Sequence, residues 1–378
     1  MNGRMKICLA FLGNPLHDSR ITNLSCSMKK DGCEVSVIGF DWFIAPSNYS
    51  AEGIRIFKLR KGRLSLFFYL RFALILIREL LKSDAGLFFA EDLYTLPFVA
   101  SVAKLKRKKI YYNSREIYSF LGGLSKRPLL QRAVTSIERF FIKKVDLVMT
   151  TGEMDSVFLE KFYNLRNTIV IRNIPLFQIP AGIHDFRKMF GIAEDKFILL
   201  YQGVLLNGRG VPLIMRAMVK LPQTVLVLLG DGEKKAAYQK LAVELGITER
   251  IIFAGSIEQE ELIKYTAAAD SGLSLIENIS ISYYHALPNK LFEYIMAGLP
   301  VLASNLHQMK KIIDEFGVGE AIDIEDEENI VRTLQKWIES PELLQYYRIN
   351  CAIAAKELNW QKEYERIRVK LLNIGTYD

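Results

Sequence analysis

HALPNKLFEYIMAGLPVLAS, from His285 to Ser304, reads as one complete helix–strand unit. Pro288 stands where a helix opens, because the N–H it lacks has no partner in a first turn. Asn289 to Ala297 follow a helical pattern, and Gly298 ends it. PVLAS is then a short apolar strand. The opening end also concentrates polar chemistry. First-turn N–H groups and the helix dipole favour an anion. Lys290 adds a cation there. Glu293 falls about one turn further in, where a carboxylate suits a pair of hydroxyls such as those of a ribose.

The same alternation runs outward in both directions. KICLAFLG is a strand, 18–31 a helix ending at Asp31-Gly32, and EVSVIGF and GIRIFKL are strands. A helix over 64–82, GLFFAED, a helix near 94–105, KIYYNSRE, a helix over 127–144 and DLVMTTG follow. TIVIRNIPLFQIP, with Pro175 and Pro180, reads as a linker. The rhythm restarts with FILLYQGVL, a helix near 211–220, TVLVLLGDGE, a helix near 234–245, RIIFAGSI, a helix over 258–267 and SGLSLI. Beyond Ser304, helices near 305–315, 326–338 and 341–357 close the second unit. The pattern predicts an α/β chain of two doubly wound, Rossmann-like parallel sheets. The expected domains are 1–178, rejoined by a returning helix in 359–378, and 179–358. Such sheets bind ligands at strand carboxyl ends, and two facing domains would make a cleft suited to transfer between bound molecules.

The 378 residues are half hydrophobic, enough for two cores, and 24% charged residues with 11% aromatics exclude disorder and coiled coil. Four unevenly spaced cysteines with no CxxC argue against a disulfide scaffold or a zinc site and fit a reducing compartment. MNGRMKICLAFLG has too short an apolar stretch for a signal peptide and reads as the first strand. The charge is uneven: residues 1–180 hold 28 Lys+Arg against 15 Asp+Glu, and the rest hold 22 against 27. A basic first half points to an anionic partner, with a membrane surface or a phosphorylated acceptor ahead of nucleic acid, for which no motif is present. The longest apolar stretch, Leu64–Leu81, is broken by Arg71 and Arg78 and flanked by Lys58, Arg60, Lys61, Arg63 and Lys82. It reads as a buried or half-buried helix rather than a span, with a helix lying on the membrane surface as the lesser reading.

Three further loops mark strand carboxyl ends in the second half. YQGVLLNGRG offers Gly203, Gly208 and Gly210 around Arg209. LLGDGE offers Gly230 and Gly232, and FAGSIEQEEL offers Gly255 before Ile257. Glycines let a backbone approach a ligand closely, and Arg suits a diphosphate. His285 adjoins the site and is a candidate donor contact. His17, Tyr283 and Tyr284 are further candidates for the cleft.

Taken in order, YxG…RG, GDGE, FAG…EEL and PNKLFEYIMAGLPVLAS resemble the donor half of retaining GT-B glycosyltransferases of family 4 over most of residues 196–325. HDSRITNLSCSMKKDGCEVSVIGF, AEDLYTLPFVA and KIYYNSREIY resemble the first half more loosely. The resemblance implies the GT-B fold and transfer of a sugar from a nucleotide sugar, UDP before GDP, to a glycan or lipid-linked acceptor. It implies surface polysaccharide or glycoconjugate synthesis, in the cytoplasm or peripherally at the inner membrane face. Glu293 corresponds to the ribose-binding second Glu of an E-x7-E motif. Arg209 corresponds to the basic diphosphate contact. Pro288, Asn289 and Lys290 correspond to the phosphate- and sugar-cradling loop. Gly255–Ile257 corresponds to the segment bordering the base. Gly13 corresponds to the first-domain loop that approaches the diphosphate.

Four positions depart from the family pattern. The first Glu of E-x7-E is His285, the Arg of G-R-L is Val204, the His of D-S-H-E is Arg115, and A-H-D reads Ala90-Glu91-Asp92. Arg209 and Lys290 are expected to stabilise the leaving diphosphate. Arg115, Glu91 and Asp92 are expected near the acceptor, with Glu116 and Asp18 as second choices. Neither a metal nor a resident cofactor is expected. A nucleotide-sugar epimerase and a binding or partner subunit without turnover are the competing readings. A dinucleotide oxidoreductase is set aside because G-x-G-x-x-G is incomplete.

Overall fold

The computed structural model describes residues 4–42, 48–51, 53–60, 65–124 and 127–373. Leu64 of the apolar stretch, its flanking Lys61 and Arg63, and residues 374–378 lie outside them. The chain divides into two units, Met1–Arg172 with Glu363–Asp378, and Asn173–Lys362. These limits differ by a few residues from the expected 178/179 and 358/359. The reason is local bonding. Arg172 holds Glu363 within the first unit at 2.9 Å, while the Trp360 N–H donates to Pro175 C=O within the second at 2.9 Å.

The first unit is built on β1 (Lys6–Ala10), β2 (Glu34–Asp41), β3 (Tyr49–Ala51), β4 (Ile54–Lys58), β5 (Leu87–Ala90), β6 (Lys109–Ser114), β7 (Leu147–Thr150) and β8 (Thr168–Val170). Among the described residues their order is β3-β4-β2-β1-β5-β6-β7-β8. All neighbours are parallel except the short β3 on β4. The direction of winding reverses between β1 and β5. The stretch read as a linker therefore begins too early. Thr168–Val170 pairs with Val148–Thr150 as an edge strand, and only the residues after it connect the units. Unforeseen also was the helix Glu153–Tyr163, which has two acids in its first turn and ends on Asn164 in the left-handed region.

The second unit has β9 (Phe197–Gln202), β10 (Thr224–Leu229), β11 (Ile251–Gly255), β12 (Ser271–Ser274), β13 (Val301–Ser304) and β14 (Gly319–Ile322), ordered β11-β10-β9-β12-β13-β14 and all parallel. FILLYQ and TVLVLL are buried along their whole length, as strands covered by helices on both faces must be. The winding reverses between β9 and β12. Helix Asn289–Met296 buries Leu291, Phe292, Tyr294 and Ile295 against this sheet. It ends in a Schellman motif: Gly298 has φ +72°, its N–H reaches Ile295 C=O at 3.1 Å, and the Leu299 N–H reaches Tyr294 C=O at 2.9 Å. Pro288 is the residue before the first turn rather than within it.

Candidate donor and acceptor sites

In the second unit, the glycine loops converge at the carboxyl ends of neighbouring strands. The Gly203 N–H bonds Leu229 C=O and the Gly230 N–H bonds Gly255 C=O, at 2.9 and 2.7 Å. Gly230 has φ +141°, and a Cβ there would lie 2.1 Å from the Gly203 carbonyl oxygen. These approaches pull the ends of β9, β10 and β11 into a shelf that larger residues would prise apart. On the other side of β9, the NGRG loop closes on the exit of β12. A Cβ on Gly210 would meet Leu275 C=O at 2.3 Å. Glu277 fixes this loop, accepting from the Gly210 N–H at 3.2 Å and donating its own N–H to Gly208 C=O at 3.1 Å.

The shelf carries two cations whose companions are aromatic. Lys290 Nζ lies 3.7 Å from the Tyr201 ring centre and beside Gly203. The Arg209 guanidinium lies 5.1 Å from the Tyr283 ring. Burial pushes the Lys290 amine well below its ordinary pKa, and the charge of Arg209 adds to this against the pull of Glu293. Pro288, in extended conformation, gives the helix no side-chain cap, and first-turn N–H groups have no partner within their own helix. A buried amine, a half-buried guanidinium and a helix start without a side-chain cap make a site for a doubly charged anion.

Glu293 is held from inside. Gln202 Nε2 donates to it at 2.5 Å, and Thr266 Oγ1 donates to Gln202 Oε1 at 2.8 Å. Burial raises the Glu293 carboxyl above the ordinary carboxylate range, against the opposing bonds of Gln202 and Gln259. Glu293 also lines a pocket with Gln259, Ile263, Thr266 and Met296. Ile257 is half-buried against the neighbouring core. His285 is 9% exposed and closes the short helix Ile281–Tyr284, its carbonyl accepting from Gln308 Nε2 at 2.5 Å. Gln202, Tyr201, Thr266 and Glu277 were missed by sequence reasoning. Gln202 had a signal, being the one polar residue closing an apolar strand.

In the first unit, the expected acceptor-side residues also gather at the switch point. Arg115 bridges Asp18 at 2.5 Å and Glu91 at 2.9 Å and faces the Phe11 ring at 4.7 Å. Asn113 donates to the same Glu91 oxygen at 2.8 Å, and Arg20 donates to Asn113 at 2.7 Å. The paired carboxylates raise the Arg115 pKa over the opposing effect of burial. Burial and the charge of Arg115 lower Arg20 to about 10. Asp92 is 4% exposed and its two oxygens accept the N–H groups of Leu12 and Thr95, both at 2.7 Å, and Glu91 beside it is fully buried. Gly13 belongs to the same region, where its carbonyl accepts the Phe40 N–H at 2.9 Å. Glu116 lies beside the cluster in sequence; its carbonyl accepts from Ser114 Oγ at 3.0 Å. Among the described residues, no group of three or more His, Cys, Asp or Glu is arranged to hold a metal ion.

Residues 183–352 match the family model for glycosyl transferases group 1. An uncharacterized glycosyltransferase of Methanocaldococcus jannaschii is 26% identical over 299 residues, 76% of this chain and 74% of its own. The lipopolysaccharide glucosyltransferase WaaG of Escherichia coli is 32% identical over 133 residues, 34% of this chain and 33% of WaaG. Among solved structures, HepE of Anabaena in complex with UDP and glucose is similar in fold, with a TM-score of 0.75 at 16% identity, over 97% of this chain and 99% of that one.

Proposed function

We propose that this chain, which has the GT-B fold, is a glycosyltransferase that moves a sugar from a nucleotide sugar, UDP-linked before others, to a hydroxyl of a glycan or lipid-linked acceptor, with retention at the anomeric carbon. The observation that carries the reading is the pairing of Lys290 and Arg209, each on an aromatic ring, with Glu293 one turn along the same helix. Glu293 takes the ribose hydroxyls. Lys290, Arg209 and the first-turn N–H groups take the diphosphate. The bond between the anomeric carbon and the phosphate oxygen breaks, and the diphosphate leaves with the electron pair. The two cations stabilise the charge that develops on it. The acceptor oxygen bonds to the same face of the sugar, and its proton passes to the departing phosphate.

UDP is favoured by the HepE complex, and a surface-polysaccharide setting by the kinship with WaaG. Acceptor binding is assigned to the first unit, around the Asp18–Arg115–Glu91 bridge. There Arg115 acts by holding two carboxylates, since a guanidinium cannot serve as a base. The leaving-group charge is assigned to side chains, so metal dependence is not expected.

Thermal stabilisation by UDP, GDP, ADP, dTDP and CMP, each with and without magnesium, tests the reading. A shift with one nucleotide, equal with and without magnesium, followed by transfer from its sugars to an acceptor extract, is expected. No shift with any nucleotide would overturn the donor site. Binding without transfer or hydrolysis would make the chain a partner subunit. Conversion of the nucleotide sugar without acceptor would make it an epimerase.

A further inference from the structure

A row of aromatic rings crosses the carboxyl end of the first unit's sheet. Trp42 follows β2, Tyr94 follows β5 and Tyr118 follows β6. Phe68 and Tyr69 come from the opening turns of the helix Ser65–Lys82. Trp42 meets Phe68 edge-on at 5.5 Å, Phe68 meets Tyr69 at 5.2 Å, and Tyr94 meets Tyr118 at 6.4 Å. Tyr69 and Tyr94, in contrast, lie nearly parallel, at 14° with centres 6.2 Å apart. Phe68 and Tyr118 are buried and anchor the row in the core. Tyr69 and Tyr94 are 44% and 48% exposed, so aromatic area that a core would bury is left to solvent.

The row adjoins the Asp18–Arg115–Glu91 bridge. Asp92 joins the two. One of its oxygens takes the Leu12 N–H, next to the Phe11 ring that faces Arg115, and the other takes the Thr95 N–H, next to Tyr94. Within the bridge, the side chains of Arg115 and Asp18 keep 15% and 19% of their surface open. Burial, with Tyr69, Asp92 and Glu116 close by, raises the Tyr94 phenol above its ordinary pKa. It stays protonated, a donor for an ether or hydroxyl oxygen.

We propose that the Tyr69–Tyr94 pair is a subsite for one sugar of the acceptor, the sugar that precedes the one whose hydroxyl reacts. This rests on the assignment of acceptor binding to the first unit, and it makes the acceptor a chain of sugars. A pyranose carries C–H groups on a face and hydroxyls around its edge. The C–H face packs on the negative faces of the rings, and edge oxygens meet the phenol O–H groups. The terminal sugar then reaches Arg115 and Asp18, which offer donors and an acceptor for its hydroxyls. A lipid chain would instead cover two phenol hydroxyls and an ion pair with groups that cannot hydrogen-bond.

The test is an array of immobilised linear oligosaccharides, each beside its monosaccharide, probed with the labelled full chain. A polyprenyl phosphate in detergent serves as a competitor. Tighter binding to an oligosaccharide than to its monosaccharide, untouched by the competitor, is expected. Tyr69→Ala and Tyr94→Ala should each weaken it about 3- to 10-fold, and Tyr94→Phe, which keeps the ring face, should lose less than Tyr94→Ala. Both side chains are half exposed, and an unchanged thermal transition will show that the variants fold. Stabilisation by UDP, read on the same samples, reports the donor site separately, so a failed donor site and a failed subsite are told apart. The proposal is overturned if no oligosaccharide binds, or if monosaccharides bind equally well. Alanine variants that bind like wild type would also sink it, as would competition by the polyprenyl phosphate that those variants abolish.

Discussion

The ammonium of Lys290 stands 3.7 Å from the centre of the Tyr201 ring, at the carboxyl end of β9. The ring offers its negative face to a cation that burial has stripped of water. Nothing in this pairing neutralises the charge, so the site is poised for an anionic ligand. Lys290→Met should weaken UDP binding by about 10- to 100-fold, the range for losing a charge-assisted hydrogen bond. Titration calorimetry would show it, and an unchanged dissociation constant would place the diphosphate elsewhere.

The depressed Lys290 pKa also sets a pH dependence. The free protein releases this proton at lower pH than an ordinary lysine, and a bound diphosphate draws it back. UDP affinity should therefore fall as pH rises through the depressed pKa, and binding there should take up protons. Calorimetry in buffers of different ionisation enthalpy would detect the uptake. In Lys290→Met this alkaline limb should vanish.

Glu293 governs the opposite limb. Its carboxyl is raised above the ordinary range, chiefly by burial, so it protonates sooner as pH falls and stops accepting from two hydroxyls. Glu293→Ala should cost UDP about 10-fold or more. Gln202→Leu should cost less and move the acid limb to higher pH, because the Gln202 bond holds the Glu293 pKa down. A Gln202→Leu protein with wild-type affinity and wild-type acid limb would deny it this positioning role.

The returning helix Trp360–Asn373 is fastened by Glu363, 2% exposed and bonded to both the backbone N–H and the guanidinium of Arg172. Burial alone would raise its pKa, but the Arg172 bonds outweigh burial and the net shift is downward. A depressed carboxylate stabilises the fold above its unfolded pKa and loses that contribution as pH falls through the folded value. Replacing Arg172 by Met should destabilise by about 1.5–3 kcal/mol, the range for losing hydrogen bonds to a charged group, since Arg366 at 2.7 Å and the residue-172 N–H still hold Glu363. Denaturant unfolding at neutral and acid pH checks both the size and the narrowing of the difference on acidification.

Gly230→Ala tests the shelf. The positive φ and the 2.1 Å approach to the Gly203 carbonyl leave no room for a methyl group. The substitution should cost about 1–3 kcal/mol from the backbone conformation alone and separate the loops that hold Lys290 and Arg209. A lower melting temperature with UDP affinity intact would show that the shelf is structural only.

Much of this protein was legible from local pattern. Parallel strands covered on both faces must be apolar throughout, so FILLYQ and TVLVLL announce themselves. The helix at Asn289 carries its own stop signal in Gly298. Arg209, Lys290 and Glu293 could be singled out because their neighbours in the chain are also their neighbours in chemistry. Tertiary structure decided what depends on partners distant in sequence. Gln202 meets Glu293 across 91 residues and Arg115 meets Asp18 across 97, and no spacing rule foretells either. Asp92 looked reactive beside Glu91, yet only the fold shows that the N–H groups of Leu12 and Thr95 occupy it. The apolar stretch after Leu64 was unmistakable as sequence. Which of its side chains enter the core and which face outward was decided by the one face that the sheet covers.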